Sequence, residues 1–435
     1  MSDVEEPTKT EAGGLPAVEL TPAAARQADM ALPPALAADS VTDYLKASLA
    51  RVKAGESGIL PVVGGLILIS ILFQALNSNF LTAGNLVNLL VQAAVFSLLA
   101  MSEVFVLILG EIDLSSGFVA GIGGAIMAVL LTNHGWPWWV SIIVGLLACA
   151  GIGLIQGAII TLIGLPSFVV TLAGFLFWQG ILLKILGNGG AVAINNSEVN
   201  DIASANLSPT VGWIVMLALV AIYGATSWFG DAKRRKAGLV APPIGVTLLK
   251  IGGVLLAGIA VVLLCNTDRG VIVPIQGVPY VVLLIVAVLV VWTFLLGRTK
   301  PGRYMYAIGG NAEAARRAGI SLTGIRILAF VLSSFTAGIA GIVYTSRLQS
   351  ISTDVAGGTL VLYAVAAAVI GGTSLFGGRG KVIHGVLGGI VIAAIANGMG
   401  LLGFEPAAQY MVTALVLLAA VTIDALARRG RVAGL

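Results

Sequence analysis

Before residue 188, four ionisable side chains fall within or at the ends of long apolar runs: Glu103, Glu111, Asp113 and Lys184. A charge at mid-bilayer costs on the order of 2.5–3.5 kcal/mol, so such groups usually face a bundle interior, a cavity or a partner. Glu103, Asp113, Ser115 and Ser116, with Thr373 and Ser374 in a second interrupted run, are therefore the candidates for lining a polar translocation pathway. Asp113 has a structural reading as well. Asp-Leu-Ser-Ser precedes an apolar run, and Asp or Ser at a helix start satisfies free amides. Both roles are compatible, because half-helix ends are where transporters expose polar backbone. Asn88, Gln92, Ser97, Ser102 and Gln179 are further pore-lining candidates, or else the polar glue of a packed bundle.

Other chemistries find no support. The nearest approach to a phosphate loop, GGRGKV at 377–382, lacks the GxxxxGK[ST] spacing and places Val after Lys. There is no nucleophile elbow, zinc spacing or paired-carboxylate arrangement, so no catalytic residue and no bound cofactor or metal are expected. Cys149 and Cys265 lie in apolar runs more than a hundred residues apart and read as small buried hydrophobes. His134 sits among Trp136, Trp138 and Trp139, a membrane-interface composition, and no nucleic-acid surface is implied by a net charge of +4 that has a topological cause.

The elements that must position these residues follow from composition. Of 435 residues, 58% are hydrophobic and 10% charged, with a mean hydropathy of +1.02, too apolar for a water-soluble domain. Apolar runs at 59–76, 88–109, 117–132, 139–163, 168–186, 211–229, 246–265, 279–297, 326–346, 360–371, 383–403 and 408–427 suit a core about 30 Å thick. The expected fold is all-α, a polytopic transmembrane helix bundle of about 10–12 spans. The runs 117–132 and 360–371 are short and predict broken or re-entrant helices. With twelve crossings both termini share the side of the basic loops at 231–243 and 298–325, as positive-inside sorting requires, which predicts both termini cytoplasmic.

The domain plan is a disordered tail over 1–39, an amphipathic interfacial helix over 40–55, a transmembrane domain over 58–427 and a basic tail over 428–435. Ser40 and Asp43 mark the start of the surface helix, which would lie on membrane lipid or pack on another subunit. The polar loop at 188–210 carries Glu198 and Asp201 and no Lys or Arg; it reads as an external contact or as a solvated connection. Two pseudo-repeats are visible. LGEIDLSSG (109–117) aligns with IGGTSLFGG (370–378), placing Gly110 on Gly371, and each precedes a glycine-rich apolar run. Gly121, Gly123 and Gly124, and in the other half Gly385, Gly388 and Gly389, predict close helix contact.

The longest polar stretch is GRYMYAIGGNAEAARRAGISLTGIR at 302–326. Asn311 is a cap, Ala312, Ala314 and Ala315 favour helix, and Gly319 stops it. Glu313 precedes Arg317 by four residues, the favourable order, and Arg316 and Arg317 occupy the last turn where the dipole prefers cations.

Taken with GEIDLSSG (110–117), LPSFVVTLAG (165–174) and VIGGTSLFGGRGKV (369–382), this stretch resembles the permease of binding-protein-dependent ABC importers for monosaccharides, the ribose, xylose, arabinose and galactose class. The four motifs recur in that family's order across about 85–427, and the long layout is similar to the xylose branch. The resemblance implies a subunit of a bacterial inner-membrane importer that is not itself an enzyme. It implies an ABC ATPase partner that uses ATP and Mg, a periplasmic sugar-binding protein, a permease homodimer and a monosaccharide cargo. By the same resemblance Asn311, Glu313, Ala314, Arg316, Arg317 and Gly319 belong to the helix that docks on the ATPase. An ion-coupled secondary transporter using Asp113 or Glu103, and a permease for another solute such as a branched-chain amino acid, are the competing expectations.

Overall fold

The computed structural model describes residues 40, 42–44, 46, 59–239, 241–270, 272–353 and 358–432. The expected tail at 1–39 and the residues 433–435 lie outside them, as does most of the surface helix expected over 40–55. Of that helix, residues 42–44 and 46 are helical, and Ser40 and Asp43 form the reciprocal start: the Asp43 amide donates to Ser40 Oγ at 3.1 Å, and Ser40 Oγ donates to Asp43 Oδ2 at 2.6 Å.

Each apolar run becomes a helix. In chain order they are α1 (Ile59–Leu76), α2 (Ala83–Ile108), α3 (Ser116–Thr132), α4 (Trp138–Ala158, prolonged by a π turn Ile159–Ile163) and α5 (Ser167–Leu186). After strand β1 (Ala191–Ala193) and helix α6 (Ser197–Ser204) come α7 (Pro209–Lys236), α8 (Ile244–Asn266) and α9 (Tyr280–Arg298). The polar stretch forms α10 (Lys300–Gly310) and α11 (Ala312–Arg317), followed by α12 (Leu322–Leu348), β2 (Ser350–Ser352), α13 (Gly358–Ile370), α14 (Val382–Leu401) and α15 (Pro406–Val432). Pro137, Pro166 and Pro279 stand just before α4, α5 and α9, where a missing amide breaks no helical bond. Among the described residues nine helices are long and apolar enough to cross a membrane, and α3 and α13 are the two shorter apolar helices. The chain is a multi-pass membrane protein.

Two units pack separately, 222–252 with the described part of 1–50, and 51–221 with 253–435. In the first, Thr247 Oγ1 donates to Asp231 Oδ2 at 2.8 Å, and Lys250 Nζ lies 5.7 Å from the centre of the Tyr44 ring. The second is built around α2, whose residues from Ser97 to Ile108 are all buried. Helices α12, α13 and α14 pack on it, and α12 also crosses α3 and α4. Close crossings use glycine as expected at Gly389, where a Cβ would strike Ser97, and at Gly388, where it would strike the carbonyl of Ala367; Gly341, outside the expected set, packs as closely on the carbonyl of Ala120. Peripheral helices keep large apolar side chains outward, Leu68 and Ile71 on α1 and Leu176 and Phe177 on α5, a surface stable only against lipid.

The segment at 188–210 is folded. Its strand β1 pairs antiparallel with β2 in the register Val192 with Ile351, and Asn196 caps α6 by accepting the Val199 amide at 3.0 Å. Beside α6 lies a cleft of about 570 Å³ with walls of Ile142, Leu146, Leu284 and Ile339 and an acidic rim of Glu198 and Asp201.

Candidate functional site

The four motifs, spread over more than two hundred residues, converge at one end of the larger unit. At the end of α2 the Gly110 amide bonds to Leu107 O at 2.9 Å and the Glu111 amide to Val106 O at 3.0 Å. The end of α13 repeats this pattern, Gly372 to Val369 O at 2.9 Å and Thr373 to Ala368 O at 3.0 Å. Gly110 (φ 77°) and Gly372 (φ 107°) supply the left-handed residue that each helix end needs. The pseudo-repeat is therefore present at both helix ends, one residue displaced from the sequence alignment: Gly110 corresponds to Gly372, not to Gly371. The amides still dictate the equivalence, because backbone hydrogen bonding at a helix end tolerates no slip.

The GEIDLSSG motif and the end of α2 just before it are held by the other three. Ile112 donates its amide to Ser167 Oγ at 3.3 Å, and Thr171 Oγ1 donates to Ile112 O at 3.1 Å, which is the contribution of LPSFVVTLAG. The second interrupted motif donates the Gly378 amide to Ile108 O at 2.8 Å. From the polar stretch, Tyr306 Oη donates to Gly380 O at 2.7 Å, Gly309 lies against Ile108 O and the Gly378 amide, and Arg326 Nε stands 3.3 Å from Glu111 Oε1.

Next to this junction is a buried polar cluster. Ser116 Oγ donates to Glu103 Oε1 at 2.6 Å; the Ser115 amide and hydroxyl donate to Asp113 Oδ1 at 2.9 and 2.6 Å; Gln156 Nε2 donates to Ser115 Oγ at 2.8 Å. Glu103, Asp113, Ser115 and Ser116 are each 0% exposed. Asp113 thus makes an Asx turn two residues ahead, and Ser115 occupies the N-cap of α3 without a side-chain cap bond. Among the described residues Glu103 Oε2 and Asp113 Oδ2 have no hydrogen-bond partner, and on neighbouring helices neither do Trp178 Nε1, Ser333 Oγ and Ser334 Oγ. Buried polar atoms of this kind call for contact from water or solute. Of the remaining pathway candidates, Thr373 and Ser374 are buried in the second interrupted motif, with Ser374 Oγ accepting the Phe376 amide at 3.2 Å. Lys184 lies in the last turn of α5, exposed and away from the cluster. Ser97 reaches across to Val386 O at 3.2 Å, which makes it interhelical glue.

The polar stretch holds a second helix, α10, upstream of the expected one. Helix α10 starts at Thr299, whose Oγ1 accepts the Gly302 amide at 3.3 Å with Pro301 in the first turn, a legible start signal lying just before the stretch. On α11, Asn311 Oδ1 accepts the Ala314 amide at 2.9 Å as expected. Glu313 pairs with both arginines, Arg316 at 2.9 Å and Arg317 at 3.1 Å, and these bonds, Arg316 first, hold its carboxyl below the usual carboxylate range. Ala315 is buried and Gly319 (φ 80°) ends the helix, so Glu313, Ala314, Arg316 and Arg317 form its outward face.

Residues 85–421 match the family described as branched-chain amino acid transport system / permease component. The chain belongs to this permease family. It is accordingly a transport component and not an enzyme. It is 35% identical over 373 residues to the xylose transport system permease protein XylH of Escherichia coli (strain K12), covering 85% of this chain and 92% of that protein. It is 30% identical over 359 residues to the ribose import permease protein RbsC of the same strain, covering 82% and 91%. It is 30% identical over 347 residues to the D-allose transport system permease protein AlsC, also from Escherichia coli (strain K12), covering 80% and 85%. No solved structure matches the permease chain.

Proposed function

We propose that this chain is the membrane-spanning subunit of an ATP-driven importer of monosaccharides in a bacterial inner membrane, with xylose the first choice of cargo. The similarity to XylH along nearly its whole length carries the reading, supported by the convergence of the four motifs at one end of the bundle. A periplasmic binding protein delivers the sugar. A separate ABC ATPase, using ATP and Mg, docks on the outward face of α11 through Asn311, Glu313, Ala314, Arg316, Arg317 and Gly319. Two permease copies complete the assembly, with both termini on the ATPase side. ATP binding in the partner biases two conformations of the bundle, and the permease supplies the path.

Within that path Glu103, Asp113, Ser115, Ser116, Thr373 and Ser374 offer the sugar brief polar contacts. The unpartnered oxygens of Glu103 and Asp113 support this role, since both require polar company that the described residues do not supply. Weak contacts suit passage, because a site must be left as readily as it is entered. Reconstituted vesicles decide the matter. Labelled xylose should accumulate only with ATPase, binding protein and ATP; ribose, allose and a branched-chain amino acid form the comparison arms. Uptake that follows an ion gradient without ATP would replace this reading with a secondary transporter, and preference for an amino acid would reassign the cargo.

A further inference from the structure

The outward helix α11 is tied at both ends to the same place. Upstream, α10 is anchored by Met305 and Ile308, which are buried in the core, and its last turn brings Gly309 onto the interrupted motifs. A Cβ at Gly309 would run into Ile108 O and come within 2.6 Å of the Gly378 amide; one at Gly377 would lie 2.9 Å from Gly309 O and 3.0 Å from the Gly110 amide. Three backbones therefore meet with no side chain between them. The Tyr306 hydroxyl closes the contact on Gly380 O at 2.7 Å. Downstream of α11, the first turn of α12 returns Arg326 to Glu111 at 3.3 Å.

We propose that Tyr306 and Gly309 are positioning residues of a backbone relay, through which displacement of α10 and α11 moves both interrupted motifs, 109–117 and 370–381, as one piece. The proposal rests on the ATP-driven reading above. Backbone packed directly on backbone has no rotamers to absorb a displacement, and close-packed protein transmits strain with little compression. The relay reaches the buried cluster in few steps: Glu111 and Ile112 are continuous with Asp113, and Ile108 is about 1.4 turns from Glu103 on the same helix. Arg326 and Glu111 form the second attachment, so α11 cannot shift without loading the motif from two sides.

The test uses the full importer, permease with its ATPase and binding protein, in vesicles. Tyr306→Phe keeps the ring and removes the hydroxyl. Sugar moved per ATP hydrolysed should fall about 3- to 10-fold, the range expected for one lost hydrogen bond, while co-purification of the ATPase stays at the wild-type level. A Thr373→Cys reporter, at a position 1% exposed and with both native cysteines buried, should be labelled in a nucleotide-dependent way that Tyr306→Phe weakens by a similar factor. Gly309→Ala should uncouple more strongly; if it does not assemble, the Tyr306→Phe pair of measurements decides. An unchanged ratio together with an unchanged reporter response overturns the relay, and so does loss of ATPase binding, which would make Tyr306 an assembly residue. If the wild-type complex responds to nucleotide but carries another solute, the cargo assignment fails and the relay stands. If nucleotide has no effect on the wild type, both fall.

Discussion

Ser116→Ala separates the stabilising role of the buried cluster from its transport role. In the folded protein Ser116 Oγ donates to Glu103 Oε1 at 2.6 Å, both residues are fully enclosed, and Glu103 Oε2 already lacks a partner. Removing the hydroxyl takes away the side-chain donor of a buried carboxyl group, and leaving a buried polar group unsatisfied costs about 1–3 kcal/mol. Ser116→Thr, which keeps the donor, should lose less. The informative variant is the pair Glu103→Leu with Ser116→Ala. Replacing both partners by apolar groups removes the desolvation penalty, so stability against detergent unfolding should return to within about 1 kcal/mol of wild type. Sugar uptake per folded permease should not return with it. A drop of at least about tenfold, equivalent to about 1.4 kcal/mol at the transport barrier, is expected if the carboxyl serves the passing solute. Recovery of stability and of uptake together would refute the pathway role and leave Glu103 a packing residue. Full stability of the Ser116→Ala single variant would refute the energetic reasoning itself.

Two further outcomes are expected. Asn85 and Asn397 exchange amide hydrogen bonds at 2.8 and 3.0 Å between α2 and α14; at about 0.6 kcal/mol each in a membrane protein, a double-mutant cycle with alanine should return a coupling of about 1 kcal/mol, and a value near zero would remove the pair from the account of helix registry. The lowered pKa of Glu313 makes its contribution to α11 present above the ordinary carboxylate value of about 4.3 and lost as pH falls through its lower folded value; amide exchange protection over 312–318 should hence be level from about pH 6 to 8 and weaken on the acid side only, a dependence that Glu313→Gln should abolish.

The helices were legible because a bilayer demands long apolar runs, and every run at 59–76 through 408–427 has its helix. Local signals were equally readable where they act within four or five residues, as with Asn311 capping α11 and Gly319 ending it. Distance in the chain is what sequence spacing does not carry. Nothing in the residues of GEIDLSSG announces that Ile112 is clasped by Ser167 and Thr171, or that Glu111 meets Arg326 more than two hundred positions later. The repeat alignment slipped by one residue for a related reason. Gly371 and Gly372 are adjacent and chemically identical, and only the hydrogen-bond pattern tells which one takes the positive φ. The loop at 188–210 hid its strand because three residues have too short a period to register, and its partner β2 lies far downstream.

The same junction answers a physical problem that the interrupted helices create. A helix that ends among other helices leaves up to four carbonyls without intrahelical donors, and in an apolar surround each such group costs several kcal/mol. Helix α2 meets this by turning its own amides back at Gly110 and Glu111 and by offering Ile108 O to the Gly378 amide, while Gly380 O of the neighbouring motif takes the Tyr306 hydroxyl. Satisfying those carbonyls requires the three segments to approach to backbone distance, which glycine at 309, 377 and 378 permits and a larger residue would prevent. A contact demanded by the energetics of ending helices inside the bundle is thereby stiff enough to transmit motion. The glycines that let α10 approach, Gly309, Gly377 and Gly378, lie beside the breaks that Gly110 and Gly372 make. Any change that relieves crowding at Gly309 by moving α10 outward disturbs the backbone packing and the bond from Tyr306 to Gly380 O together, whereas Tyr306→Phe removes that one bond and leaves the ring and the bond from the Gly378 amide to Ile108 O in place.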